Sequence, residues 1–391
     1  MTEPAAQPSF TVDGDRLTML DTGPRRLAAL LDLIDGAQTS LRILYYIYVD
    51  DAAGAQVRQA MIAAATRGVA VSVIVDGMGS GPATNERFFD PLIATGASVC
   101  RFEPRLGRRY LLRNHQKLAL ADGETATARV IIGGFNIEDS YFGTPAEQAW
   151  RDLGLLVEGP SAAALTGYFD TLNRWIQTPK APIRALRRVL AQWSQRQGHT
   201  RWLLGGPTRH LSPWAKAVRE DLRRAKAFDL IAGYFAPNPA MLRRLDKLGR
   251  RGRVRIVLPS KNDHEGAIWA SRFTYAGLLR KNVAIYEYLL TKLHTKLFVI
   301  DDVVYVGSAN FDIRSMFLNL EIMLRIDDPA FAAHARAYVD GEIAQSELIT
   351  PALYKSRTTP WRRVKQAAAY FVITVLDYNV TKSLNFGRGQ R

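Results

Sequence analysis

The segments His115-Gln116-Lys117-Leu118-Ala119-Leu120-Ala121-Asp122 and His294-Thr295-Lys296-Leu297-Phe298-Val299-Ile300-Asp301 share one pattern, H-x-K-x4-D, once in each half of a 391-residue chain. Read as strands, each places positions i and i+2 on one face, so a histidine and its lysine point together into one space. A short connection then leads each to a small-residue turn ending in an amide, Gly133-Gly134-Phe135-Asn136 and Gly307-Ser308-Ala309-Asn310. A single H-x-K could be two solvated side chains on a surface strand. Two of them, at equivalent places and with the same continuation, point to a repeat built around one site.

The surrounding sequence bears the repeat out element by element. Leu27, Leu30, Leu31 and Ile34 have helical spacing closed by Gly36. Residues 40–48 read as a strand, 55–67 as a helix and 69–77 as a second strand, a βαβ unit. A helix through 88–93, a strand at 97–102, a basic loop at 105–113 and strands at 117–121 and 129–132 follow. The second half replays this with a helix at 214–224, a strand at 228–235, a helix at 241–248, and strands at 254–259 and 283–288. The predicted fold class is therefore α/β, with two similar lobes, each a mixed β-sheet flanked by helices. The lobes are expected at 1–200 and 201–350, divided by a stretch that carries Pro179, Pro182 and Gly205-Gly206-Pro207. Residues 351–391 form a tail in which Pro360-Trp361-Arg362-Arg363-Val364-Lys365 precedes a run, 367–376, that is apolar but for Thr374. That order suits an interfacial helix, its aromatic at headgroup level and its cations facing anionic lipid. A helix packed on the protein itself is the alternative.

Composition narrows the partners. With 47% apolar and 23% charged residues the chain is globular. A lone Cys100 excludes a disulfide framework and a cysteine-based metal cluster. The N-terminus lacks a signal-peptide pattern, and no apolar run nears the roughly 18–20 residues that span a bilayer, so a cytoplasmic or peripheral membrane location is expected. Lys plus Arg number 52 against 37 Asp plus Glu, a net +15 that suits nucleic acid, an anionic membrane or a phosphorylated substrate. Only twelve of those 52 are lysines. A chain that uses arginine by default has placed a compact ammonium, Lys117 and Lys296, beside two of its six histidines, and the two cations are not interchangeable at a site.

These residue types suit phosphoryl transfer through a covalent intermediate. One neutral imidazole attacks phosphorus; the other, protonated, gives its proton to the departing oxygen and later takes one from the incoming alcohol or water. Lys117 and Lys296, with Asn136, Asn310 and the Ser308 hydroxyl, would hold the non-bridging oxygens as charge builds on them. No cofactor or metal is called for, since two ammonium groups supply the positive charge.

At these motifs the sequence resembles the phospholipase D superfamily, and in further segments its bacterial cardiolipin synthase branch: Leu44-Tyr45-Tyr46-Ile47-Tyr48, Asp76-Gly77-Met78-Gly79-Ser80, Arg113-Asn114-His115, Trp150-Arg151-Asp152, Leu258-Pro259-Ser260-Lys261 and Asn319-Leu320-Glu321. The resemblance runs from about residue 14 to 345 and implies two lobes related by a pseudo-twofold with the active site between them. It implies His115 as nucleophile and His294 as general acid and base, with Asp152 and Glu321 orienting histidines and with Asp122 and Asp301 structural. It also implies phospholipid substrates, phosphatidylglycerol giving cardiolipin, on the cytoplasmic face of a bacterial membrane, by a peripherally bound monomer. Sequence symmetry alone does not decide which histidine attacks. A phospholipase D, differing only in using water as acceptor, a nuclease drawing on the positive charge, and an inactive membrane-binding protein are the alternatives.

One departure from the superfamily pattern is Gly134, where a serine is usual. Arg101, Arg105, Arg108, Arg109 and Arg113 with Tyr110 could gather anionic headgroups at the mouth of the site, or be a merely solvated loop. His199, His210 and His334 have no partners in sequence and are expected at the surface; His264 lies in a family-like segment without a derivable role.

Overall fold

The computed structural model describes residues 7–81, 87–103, 112–208 and 210–376. Its first sheet is built from β1 (Ser9–Val12), β2 (Asp15–Leu20), β3 (Ser40–Tyr45), β4 (Ala70–Asp76), β5 (Ser98–Phe102), β6 (Leu118–Ala121), β7 (Arg129–Gly133) and β8 (Gly154–Glu158), in the order β1-β2-β8-β7-β6-β3-β4-β5. The second half supplies β9 (Thr200–Gly205), β10 (Ala227–Ala232), β11 (Phe235–Ala236), β12 (Arg253–Pro259), β13 (Val283–Tyr288), β14 (Lys296–Ile300), β15 (Val303–Gly307), β16 (Phe311–Asp312), β17 (Glu321–Asp327) and β18 (Ser346–Leu348). Its large sheet runs β18-β13-β12-β10-β14-β15-β17-β9, and β11 pairs with β16 alone. From β2 to β5 and from β9 to β13 the two orders superimpose strand for strand. In both, a parallel trio, β3-β4-β5 or β10-β12-β13, continues into antiparallel neighbours. These are two mixed α/β sheets of one design.

Alternation in the strands decides how the lobes meet. Leu118 and Leu120 of β6, and Leu297 and Val299 of β14, belong to one continuous core that crosses the lobe boundary. Ala119 and Ala121 face the core under the first lobe's outer helices, and Phe298 and Ile300 face that of the second. Strands buried on both faces need no polar alternation, which is why these segments read as unbroken apolar runs. The helices begin with recurring start signals: Pro in the first turn of Gly23–Asp35, Pro213–Arg224, Pro239–Gly249, Pro329–Ala344 and Pro360–Phe371, and side-chain caps from Asp51, Asn238, Asp328 and Thr359. The segment before β9 is no loose linker. Leu186, Val189 and Leu190 of the helix Ile183–Trp193 join the interlobe core.

Two local expectations change. The helix around 88–93 shortens to Asp90–Ile93. More consequentially, His115 and His294 lie just ahead of β6 and β14 rather than on them, because the backbone there pairs with the opposite lobe instead of its own sheet.

The tail helix Pro360–Phe371 continues through Val372–Leu376 and packs along the helix Glu265–Leu279. Tyr370 Oη donates to the Pro237 carbonyl at 2.8 Å and stacks on Phe273, while Tyr354 Oη donates to Gln366 Oε1 at 3.2 Å. Trp361, Val364, Phe371 and Val372 point away from the protein and are exposed. The two tail readings are therefore compatible: one face packs on the protein and the other is bare. Among the described residues, no helix is long and apolar enough to cross a membrane.

Candidate active site

Isolated backbone bridges join the lobes where their motifs begin. Asn114 pairs with Leu320, and Arg151 with Leu293. The His115 amide donates to the Leu320 carbonyl at 2.9 Å, and the His294 amide donates to the Arg151 carbonyl at 2.8 Å. Each histidine segment is thereby laid beside the segment of the other lobe that carries the carboxylate, Glu321 or Asp152. The turn after β4 fixes the first approach: Asp76 accepts from the amides of Met78, Gly79 and Asn114 at 2.8–3.0 Å.

The side chains follow this crossing. His115 Nδ1 lies 3.0 Å from Glu321 Oε2, and His294 Nδ1 lies 2.7 Å from Asp152 Oδ2. With Nδ1 bonded to a carboxylate, Nε2 is the ring nitrogen left for chemistry. Glu321 also accepts from Ser308 Oγ at 2.5 Å, Ser315 Oγ at 2.8 Å and Asn319 Nδ2 at 3.5 Å. Asp152 has a sparser set: besides His294, its carboxylate accepts from the Leu153 amide at 2.7 Å. The buried Arg26 donates to the Asp152 carbonyl and, at 2.7 Å, to that of Tyr141, so it fixes the backbone rather than the carboxylate.

Lys117 and Lys296 are buried beside the histidines, and each Nζ donates to the carbonyl of its own motif histidine. Asn136 and Asn310 occupy matched positions, their Oδ1 atoms accepting from the amides of Ile47 at 3.3 Å and Tyr234 at 3.2 Å. Asn136 Nδ2 also donates to Tyr141 Oη at 3.1 Å. The Ser308 hydroxyl donates to Glu321 and accepts from the Ile322 amide at 3.0 Å, so it stands directly behind one catalytic-site carboxylate. Asp122 and Asp301 lie away from this cluster. Both have left-handed backbone, φ 52° and 48°, a conformation Asp tolerates in turns, and their carboxylates accept from amides at the entry to β3 and β10 (Gln38, Thr39 and Ser40; Lys226 and Ala227).

Gly134 has a steric reason. A side chain there would run into the Asp152 carboxylate. Gly233 plays a similar part: its bare Cα faces the His294 ring, and a Cβ at this position would stand only 3.3 Å from that ring. The aromatic walls are also unequal. Tyr46 stands 5.0 Å from His115 and receives a hydrogen bond from Arg113. His294 is ringed by Tyr141 and Trp150, both at 5.4 Å, and by Tyr234 at 6.4 Å. The outcome is a relative exposure of 9% for His115 and 5% for His294.

Burial pushes both imidazoles down, to about 4 for His115 and about 3 for His294; the carboxylates oppose this shift and the lysine charges add to it. Burial also lowers Lys117 to about 7 and Lys296 to about 8, against the pull of Glu321 and Asp152. Burial pushes Asp152 and Glu321 up, but the neighbouring cations and hydrogen bonds win and leave both lowered, Asp152 to about 2. Burial thus disfavours positive charge on both histidines and both lysines, and an anion admitted beside them would favour it again.

Of the basic loop, Arg105, Arg108, Arg109 and Tyr110 lie outside the described residues; Arg101 pairs with Glu103 and Arg113 reaches Tyr46. His199 and His210 are exposed, and His334 is half-buried against Phe10. Sequence reasoning misses Arg26 and Ser315 altogether, and it gives no role to Tyr46, Trp150 and Asn319 although they stand in family-like segments. Their common signal is closeness in sequence to a motif or a carboxylate, which does not distinguish them from core residues.

Residues 30–172 and 218–342 match the family profile described as the phospholipase D-like domain of cardiolipin synthase. Cardiolipin synthase A of Pectobacterium carotovorum subsp. carotovorum (strain PC1) is 29% identical over 377 residues, covering 93% of this chain and 76% of that protein. Cardiolipin synthase A of Escherichia coli O1:K1 / APEC is 30% identical with the same coverage. Among solved structures, phosphatidylserine synthase of Haemophilus influenzae Rd KW20 superimposes with a TM-score of 0.72 at 15% identity, covering 96% of this chain and 97% of that one. Polyphosphate kinase from Porphyromonas gingivalis gives 0.59 at 15% identity, covering 97% and 57%. At these identities the two structures speak for the fold alone.

Proposed function

The chain belongs to the cardiolipin synthase family of phospholipase D-like enzymes, and we propose that it transfers a phosphatidyl group from phosphatidylglycerol, or a related phospholipid donor, to the hydroxyl of a second phosphatidylglycerol, giving cardiolipin. It is an enzyme of the phosphatidyltransferase type. One observation carries the finer reading: two buried histidines, each held by a carboxylate of the other lobe, beside two buried lysines.

His115 Nε2 attacks the donor phosphorus while His294 protonates the departing glycerol oxygen. His294 Nε2 then takes the proton of the acceptor hydroxyl, whose oxygen displaces His115 from phosphorus. The free enzyme holds both imidazoles neutral, as the nucleophile requires. The arriving phosphate lends its negative charge to His294 and raises that pKa toward the range a general acid needs. Lys117, Lys296 and the amides of Asn136 and Asn310 hold the non-bridging oxygens, so the proposed mechanism uses no metal. Each lobe, 1–200 and 201–350, supplies one histidine–lysine pair and the carboxylate for the other's histidine. The exposed Trp361, Val364 and Phe371, with Arg362, Arg363 and Lys365 on the same helix, support peripheral binding to an anionic membrane face.

The test is to incubate purified protein with phosphatidylglycerol vesicles, with and without a chelator, and identify the lipid products. Cardiolipin is expected in both, and none with His115→Ala. Phosphatidic acid alone would make the protein a hydrolase. Cleavage of DNA without any change in lipid would refute the lipid reading, and loss of activity on chelation would refute the metal-free mechanism.

A further inference from the structure

A cavity of about 550 Å³ adjoins the catalytic centre on the His294 side, within the range of small-molecule sites. Tyr234 is the shared wall. Its ring faces His294 at 6.4 Å and His264 at 6.2 Å, and its amide is fixed on Asn310. Phe235, Ala236, Ala267 and Ile373 supply apolar surface, and Asp263, Glu265, Asp312 and Arg314 supply charge. Asp312 belongs electrostatically to the centre as well, since its charge acts on Lys296. Ile373 comes from the tail, far in sequence from every motif. The tail is anchored there by the bond from Tyr370 to Pro237 and by the stacking on Phe273.

We propose that this cavity receives the polyol headgroup of the acceptor lipid and that the C-terminal tail forms one of its walls. The inference rests on reading the site as a phosphatidyl-transfer centre. His294 is the proposed base, so the attacking hydroxyl must arrive on its side, where Tyr234 faces the imidazole and also lines the cavity. Carboxylates accept hydrogen bonds from hydroxyls, and a glycerol headgroup keeps one hydroxyl for them while its other attacks. With three carboxylates to one arginine in its lining, the cavity disfavours a second phosphate, so the acceptor's own phosphate stays outside it. In the transfer, the bond from phosphorus to His115 Nε2 breaks as the bond to the acceptor oxygen forms. The hydroxyl proton passes to His294 Nε2, and His115 leaves as neutral imidazole.

The experiment fills the cavity from two elements, Ile373→Trp on the tail and Ala267→Trp on the helix Glu265–Leu279, and reads the ratio of cardiolipin to phosphatidic acid on phosphatidylglycerol vesicles. Any phosphatidic acid formed shows that the catalytic centre has assembled, and two variants on different elements guard against a folding failure in one. A drop of tenfold or more in the ratio is expected in both. An unchanged ratio in both, with a wild type that makes cardiolipin, overturns the cavity assignment and leaves the proposed function standing. A wild type that makes no cardiolipin overturns the proposed function and this inference with it. Isotope-labelled glycerol added to the same vesicles separates headgroup from acyl chain. Incorporation should fall along with cardiolipin, whereas persisting glycerol transfer would assign the cavity to acyl chains and overturn the polyol site.

Discussion

His115 and His294 occupy equivalent places in two lobes of one strand order, yet they are held in different ways. Glu321, behind His115, is braced by two serine hydroxyls and an asparagine amide. Asp152, behind His294, is braced by one backbone amide, while three aromatic rings confine the imidazole itself. On the His115 side the carboxylate is fixed and the imidazole follows; on the other the imidazole is boxed in and the carboxylate is shorter and nearer. A repeat can thus keep its topology while its two histidines are held differently, and the proposed mechanism would use that difference. A nucleophile must present one nitrogen to phosphorus with little freedom, whereas an acid–base residue must change charge twice in each cycle in a pocket that excludes stray water.

The strongest way to break this division is to remove each imidazole. His115→Asn and His294→Asn should each slow lipid turnover by roughly 10³-fold or more. Only the His294 variant should form a covalent adduct with a nitrophenyl phosphodiester, whose leaving group needs no proton; intact-mass measurement reads this directly, and an adduct confined to the His115 variant would exchange the roles. Next, Glu321→Gln and Asp152→Asn should each cost about 10²-fold in kcat, by the magnitude typical of general acid–base assistance. Ser315→Ala should reproduce a fraction of the Glu321 loss, and an unaltered kcat there would remove the bracing argument.

The lysines set a pH limit common to both lobes. Because Lys117 and Lys296 are lowered to about 7 and about 8, their charge is lost as pH rises through that window. The kcat/KM for the free enzyme should therefore start to fall in that window and, where both charges are needed, drop by up to about a hundredfold per pH unit above it. His115, lowered to about 4, is already neutral near pH 6 and should contribute no acid limb there. A flat profile from pH 6 to 9 would contradict the crowded-ammonium picture. The smallest effect concerns the missing hydroxyl. Gly134→Ser, which makes the first turn look like the second, should lower activity several-fold and stability by about 1–3 kcal/mol, because the added atoms displace Asp152. Improved activity would mean that the asymmetry is accidental; thermal denaturation beside a rate assay separates the two outcomes.

Much of this is legible in the sequence for a local reason. The i, i+2 spacing brings His115 beside Lys117 and His294 beside Lys296 even though the histidines stand just ahead of their strands, and apolar runs mark the strands of both sheets. Asp152 and Glu321 can be picked out as carboxylates of the right kind, but not assigned to a histidine, because the crossing depends on backbone pairing between Asn114 and Leu320 and between Arg151 and Leu293. Contacts between segments so far apart leave no periodic trace. The bond from Ser308 to Glu321 is hidden for a related reason, since the carboxylate lies in a different strand and comes beside the hydroxyl only in the folded sheet. The tail is ambiguous in sequence because Gln366 and Tyr370 face inward while Trp361 and Phe371 face outward on the same helix.

The crossing also settles what can be exchanged in such a protein. The working units are diagonals, His115 with Glu321 and His294 with Asp152, and each diagonal runs through both halves of the chain. Neither half is a cassette that could be replaced by its counterpart from a relative without breaking both pairs at once. Nor can a half-synthesised chain complete the first pair, since His115 remains without its carboxylate until the ribosome has passed residue 321.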